Sequence, residues 1–427
     1  MLSTDQAGGS RRDLGGGPTP TPTPASSPLP APSAYASPSF ESELLELKER
    51  ALLRKLRPLD SPQQPEIEIS GHRILNFSSN DYLGLATEPA LREAAKQAID
   101  DFGFGSGASR LISGTLSPHM KLEEKLAEWK RMDAALSFSS GYAAAVGVLG
   151  AILHKEDVVI LDKLAHASLI DGAKLSGAHI RVYPHNHLGK LESHLRWARE
   201  HFPTARVLII TESVFSMDGD WPPLMEIVEM KRRYGAMLLL DEAHAIGVIG
   251  EQGRGLADKL GLSREVDIHL GTLSKALGCS GGYVCGSRTL IDLLINRARS
   301  FIFSTAPPPA IAAAATAAIQ FMMSPAGERR RQDLRARLSI FAEEMPHLFL
   351  GGKKVQSAIF PIHMGAAERA VRAAVHLAAG GFWVPAIRYP TVPRDRARLR
   401  ITISARHTSE QIRAVCEEVK QLGDGSA

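Results

Sequence analysis

The chain has 427 residues, 44% of them hydrophobic and 22% charged, with a formal net charge of +4. These values fit a globular protein with one large core or two domains, and the charge is too mild to argue for a nucleic-acid partner. Cys279, Cys285 and Cys416 have no metal-ligand spacing, the longest nearly apolar run (Tyr142 to Leu153) is too short to span a bilayer, and Met1 is not followed by a hydrophobic leader core. A cytoplasmic protein with no metal site and no membrane span is expected.

Residues 1–39 are dominated by Gly, Pro, Thr, Ser and Ala, including the run from Pro18 to Pro24. Such a segment cannot bury enough apolar surface to offset its ordering entropy, so a disordered tail with polyproline character is predicted. Order is predicted to begin near Phe40, where Leu44, Leu45, Leu47, Leu52 and Leu53 mark an amphipathic helix that ends before Pro58. A small hairpin over Ile67–Phe77 completes an arm spanning residues 40–90.

The glycine-dense stretch Gly103 to Thr115 permits backbone close to a ligand and opens a large domain over residues 91–310. From Ala134 onward, short apolar runs alternate with helical patterns. Strands are predicted at 134–138, 157–161, 180–183, 206–211, 237–240 and 268–271. This alternation predicts a doubly wound, mostly parallel α/β sheet covered on both faces. Residues 311–427 open with a long alanine-rich helix and continue as a smaller α+β domain, with strands at 359–363, 382–388 and 399–404.

In such sheets ligands sit outside the carboxyl ends of the strands. Gly141, His166, Ser216, Asp241, His244, Thr272 and Lys275 all fall just after predicted strand ends. Asp241-Glu-Ala-His244 also matches the magnesium box of helicases. That reading requires a Gly-x-x-x-x-Gly-Lys-Ser/Thr loop, which the chain lacks. An acid at one strand end and a lysine at the next instead provide what pyridoxal 5'-phosphate (PLP) needs. Lys275 can carry the aldehyde as a Schiff base, and Asp241 can keep the ring nitrogen protonated. His166 is placed to stack on the ring and His244 to bond its hydroxyl. Gly141 and Tyr142 open a helix whose N–H groups can hold the phosphate, with Thr272 adding a hydroxyl.

The stretches Asn76–Leu85, Gly105–Thr115, Ser213–Asp220, Asp241–Gly250 and Gly271–Gly278 resemble those of the α-oxoamine synthases, PLP enzymes of fold type I, and the resemblance runs from about Phe40 to Leu422. It implies that Lys275, His166 and Asp241 are catalytic and that Ser216, with Asp241 and His244, binds the polar edge of the cofactor. It implies that Asn80 and Arg400 hold the amino-acid carboxylate. It also implies a homodimer in which Ser304 and Thr305 reach the phosphate of the neighbouring subunit. The implied reaction condenses an amino acid with an acyl thioester and releases CO2. The loops look most like those of the member that joins L-alanine to a pimeloyl thioester; relatives using glycine or serine remain alternatives. Arg54 and Arg57 are candidates for the far carboxylate of a pimeloyl chain, or simply part of a solvated basic face. Retention of Lys275, Asp241 and His166 argues against a non-catalytic partner subunit of the same fold.

Overall fold

The computed structural model describes residues 39–352 and 355–422. The tail expected over residues 1–39 lies, apart from Ser39, outside the described residues. The helix Phe40–Glu49 is a unit by itself with no buried side chain. It is shorter than its leucine pattern predicts: Leu52 and Leu53 belong to the second unit, which starts at Arg50, and Leu52 is buried there.

The second unit is built on a seven-stranded sheet. Its strands are β3 (Ala134–Phe138), β4 (Val158–Asp162), β5 (His179–Tyr183), β6 (Val207–Glu212), β7 (Met237–Asp241), β8 (Ile268–Thr272) and β9 (Gly282–Gly286). They are numbered after a hairpin, β1 (Glu66–Ile69) and β2 (His72–Asn76), closed by Ser70 and Gly71 at φ 52° and 77°. The order across the sheet is β3-β9-β8-β7-β6-β4-β5. The pairs β5–β4, β4–β6, β6–β7 and β7–β8 are parallel, and β9 runs antiparallel between β8 and β3.

Alternation decides which face each side chain serves. Val158 and Ile160 pack into one buried apolar cluster, whereas Val159 and Leu161 pack into the other. Leu238 and Leu240 join the first cluster and Leu239 the second. Burial on both faces is why these strands read as unbroken apolar runs rather than as alternating ones. The strand β9 was not apparent from sequence, because Gly282-Tyr-Val-Cys-Gly286 is short, bounded by glycines and carries few large apolar residues.

A second sheet consists of β10 (Ile359–Gly365), β13 (Ala397–Thr402) and β12 (Ala386–Ile387) in the order β10-β13-β12, all antiparallel. The strand expected over residues 382–388 is in fact two strands in different sheets. β11 (Phe382–Trp383) pairs with β2, whereas β12 pairs with β13. Pro385 between them has no N–H to donate and ends the first ladder. The hairpin near the start of the second unit thus shares a sheet with a strand from the last quarter of the chain.

The loop after β8 is pressed against the loop Asp81–Ala86. At Gly278, φ is +66°, and a Cβ would come within 2.4 Å of the backbone at Leu85 and Ala86. Gly278→Ala is predicted to cost about 1–2 kcal/mol for the left-handed backbone alone, and more for the displaced loop. Denaturant unfolding of the two proteins measures this. A variant as stable as the parent would show that the two loops are free to separate.

Candidate active site

The carboxyl ends of β4, β6, β7 and β8 and the helix after β3 enclose a cavity of about 220 Å³. Gly141, Tyr142, His166, Asp241, His244, Thr272 and Lys275 all line it, together with Ser140, Ser168, Glu212 and Ser274. Gly141 and Tyr142 are the first two residues of the helix Gly141–Ile152, capped by Ser140, whose Oγ accepts from Ala143 N. Their N–H groups have no intrahelical acceptor and face an anion-friendly helix end. Thr272 Oγ1 donates to Gly281 O at 2.8 Å and lies 2.7 Å from Ser274 Oγ, so its hydroxyl is engaged within its own loop.

His166 has two local roles. Its Nδ1 accepts from Ser168 N at 3.3 Å, making it the N-cap of the helix Ala167–Ser176, and its ring also forms a cavity wall. Burial holds its pKa below the ordinary value and outweighs the attraction of Asp241. Burial also lowers the Lys275 ammonium, against the pull of Asp241 and Glu212. A lysine so placed gives up its proton readily and becomes a nucleophile. Asp241 Oδ1 accepts from Ala243 N at 2.9 Å. Burial raises its carboxyl, with Lys275 pulling the other way. This acid lacks a fully matched cation in its surroundings.

Behind the cavity runs a hydrogen-bonded chain whose central residue, Tyr82, was not apparent from sequence. Tyr82, 1% exposed, places its hydroxyl 2.6 Å from His244 Nδ1. Burial, with the charges of Lys275 and Arg400, holds His244 well below the usual imidazole range, so the ring is neutral. If Tyr82 donates to Nδ1, the remaining ring proton sits on Nε2. Arg400 donates to Asn80 Oδ1 at 3.1 Å, to Ser216 O at 2.6 Å and to Tyr82 Oη at 3.4 Å. None of these partners carries a negative charge, although Arg400 is only 6% exposed. Its neighbour Arg398, by contrast, is paired with Asp218 at 2.7 Å.

Other expected residues stand apart from the cavity wall. Ser216 meets Arg400 through its carbonyl. Ser304 is half-buried and Thr305 exposed; Thr305 bridges to Ser109 of the glycine-dense loop. Arg54 and Arg57 are exposed, the first donating to Tyr389 O at 3.1 Å and the second lying 5.2 Å over the Trp383 ring. Glu212 escaped notice because, unlike Asp241, it is not followed by a lysine at the end of the next predicted strand. Tyr82 escaped because its partner, His244, lies 162 residues away.

The cavity, its lysine and its strand-end acid define a PLP-dependent transferase of fold type I. The model for aminotransferase class I and II matches residues 72–419, and the chain belongs to that family and, within it, to the α-oxoamine synthases. It is 43% identical over 385 residues to 8-amino-7-oxononanoate synthase of Geobacter sulfurreducens, covering 90% of this chain and 98% of the relative. It is 46% identical over 371 residues to the enzyme of the same name from Anaeromyxobacter dehalogenans, covering 87% and 92%. Among solved structures, serine palmitoyltransferase of S. paucimobilis with a bound PLP–myriocin adduct superposes with a TM-score of 0.84 at 30% identity, covering 90% of this chain and 96% of that one. 8-Amino-7-oxononanoate synthase from Francisella tularensis does so with a TM-score of 0.69 at 30% identity, covering 82% and 98%.

The donor set fits this cofactor. A helix N-terminus with free N–H groups suits a phosphate, a desolvated lysine suits an aldehyde, and an under-matched buried acid suits a pyridinium. Among the described residues no single helix is long and apolar enough to cross a membrane, and no cluster of side chains could hold a metal ion.

Outside the cavity wall, His185 ties the end of β4 to the loop after β6, with Nδ1 3.1 Å from Asp162 Oδ1 and Nε2 2.8 Å from Asp220 Oδ2. Burial alone would lower its pKa, but the two carboxylates outweigh this and raise it from 6.5 to about 10. The folded value lies above the unfolded one, so this stabilisation is complete below pH 6.5 and is lost as pH rises through about 10. The gap in thermal midpoint between the parent and His185→Gln is therefore predicted to be widest near pH 6 and to shrink steadily as pH rises to about 10. A gap constant across that range would contradict the imidazolium.

Proposed function

We propose that this chain makes 8-amino-7-oxononanoate by condensing L-alanine with a pimeloyl thioester, releasing the free thiol carrier and CO2, as a step of biotin biosynthesis in the cytoplasm. The observation that carries this reading is Arg400: a buried guanidinium with only neutral partners, joined through Tyr82 and His244 to the lysine cavity. A buried cation without a counter-ion is costly, and a substrate carboxylate supplies that counter-ion. The high, nearly full-length identity to the two synthases supports the choice of product. The three free cysteines suit a reducing compartment.

In this reading Lys275 holds the PLP aldehyde. Asp241 faces the ring nitrogen, His166 the ring face, and His244 and Ser216 the hydroxyl edge. Gly141, Tyr142 and Thr272 take the phosphate. Bound PLP acts as an electron sink, stabilising the carbanion that forms when the amino acid loses its α-proton. Lys275, which burial holds towards its neutral form, would accept that proton at Nζ. Asn80 and Arg400 grip the carboxylate and hold the scissile C–C bond in place. Arg54 and Arg57 meet the far carboxylate of the acyl chain.

The purified protein is predicted to show a visible absorbance band that Lys275→Ala lacks, with turnover reduced on the order of 10³-fold or more. Thiol release, assayed for alanine, glycine and serine against pimeloyl, acetyl, succinyl and palmitoyl thioesters, should be fastest for alanine with pimeloyl. The TM-score of 0.84 to serine palmitoyltransferase is the one observation favouring another acyl chain and amino acid. Preference for serine with palmitoyl thioester would establish that reading and displace the first.

We also propose a homodimer with shared sites. Ser304 and Thr305 are not in the wall of their own cavity. The adjoining segments carrying them and the glycine-dense loop expose Phe104 (77%), Ile112 (81%) and Phe303 (70%). Apolar residues so exposed on neighbouring segments suit burial against a second copy. Mixing Lys275→Ala subunits with Ser304→Ala/Thr305→Ala subunits leaves one intact site per heterodimer, so activity above the sum of the two parents is predicted. Heterodimers with no such gain would exclude sharing through these residues.

A further inference from the structure

Glu212 and Asp241 are the two acids of the cavity wall, and Glu212 is the one that does not face the ring nitrogen in the proposed reading. It ends β6 and is the register partner of Asp241 at the end of β7, on the neighbouring parallel strand. The residue is 3% exposed. Its Oε1 is cut off from solvent and has no hydrogen-bond partner. The backbone N–H groups of His166 and Ser216 face its carboxyl group, so it lies between the loops that carry two proposed cofactor contacts. Two carboxyl groups, Glu212 and Asp241, therefore meet at adjacent strand ends, near the single ammonium of Lys275 and a neutral His166. Bound PLP would add one cation at the ring nitrogen, which Asp241 would answer, and its ring oxyanion would offset a protonated linkage nitrogen. With Arg400 outside the lining and turned to Asn80, Tyr82 and the Ser216 carbonyl, no further cation in the cavity wall balances a second carboxylate.

We propose that Glu212 is a positioning residue that works as a neutral carboxylic acid, bridging the His166 and Ser216 loops and leaving Asp241 as the only carboxylate that faces the cofactor. This rests on the reading of Lys275 as the attachment point. Three features support the neutral form. Like charges at adjacent strand ends in one pocket cannot both ionise cheaply. An oxygen without a partner is far less costly on a neutral acid than on a carboxylate. Burial, with the charge of Asp241, also pushes the Glu212 carboxyl well above the usual range, against the weaker pull of Lys275 and the two N–H groups.

The test uses the holoenzyme and a readout other than turnover: the pH midpoint of the visible absorbance of lysine-linked PLP. Glu212→Gln keeps the shape, the acceptor and the neutrality, so its midpoint should stay within about 0.3 units of the parent, with cofactor affinity retained. Were Glu212 ionised, the same change would remove a negative charge beside the linkage and lower the midpoint by about one unit or more, which would overturn the proposal. Glu212→Leu removes the acceptor facing both loops and should weaken PLP binding about tenfold or more; unchanged binding would overturn the bridging role. Should the leucine variant not fold, the glutamine titration decides, backed by infrared difference spectra of the holoenzyme. A protonated-carboxyl stretch present in the parent and lost in Glu212→Gln supports the proposal, and its absence from the parent refutes it. A parent with no lysine-linked absorbance band would instead defeat the attachment reading, so the two failures are distinguishable.

Discussion

Charge balance among the buried groups of one cavity wall is the constraint on which this site depends. The carboxyl ends of four strands bring Lys275, Asp241, Glu212, His166 and His244 to a space of about 220 Å³. In such a space an unmatched charge is expensive, so each group shifts towards its neutral form unless a partner arrives. Lysine moves down, aspartate up, and both histidines down. A protein that spends stability on this arrangement is prepared for a ligand bearing an electrophilic carbon, a ring cation and a phosphate. The family to which the chain belongs uses one.

The second layer extends the same logic to the substrate. Arg400 comes from β13, in a different sheet from the cavity strands, and its neighbours reach across to the loop after β6. Arg398 is tied to Asp218 there, which holds the two sheets in register, while Arg400 is left with neutral acceptors. The two arginines, two residues apart and on one face of the same strand, thus differ in kind: one is structurally paired and the other free to take an anion. His185 completes the scaffold by fastening Asp162 to Asp220 beneath the same loop.

Much of this was legible from the chain alone. Lys275, Asp241 and His244 could be placed together because parallel strands buried on both faces appear as apolar runs, and ligands collect at their carboxyl ends. Those are local patterns, written into a few consecutive residues. The antiparallel β9 and the division of residues 382–388 between two sheets were not apparent. The first is too short and glycine-bounded to show a period, and the second depends on which partner each half finds.

The sequence by itself determined the sheet type and marked a lysine and an acid at neighbouring strand ends, because side-chain chemistry and hydrophobic period are properties of neighbouring residues. Only the tertiary structure decided that Glu212 lies beside Asp241, that Tyr82 bonds His244, and that Arg400 has no anionic partner among the described residues. Those facts depend on strand order and on contacts between residues as much as 320 positions apart. No local pattern encodes them, since the same strands in another order would leave every period unchanged.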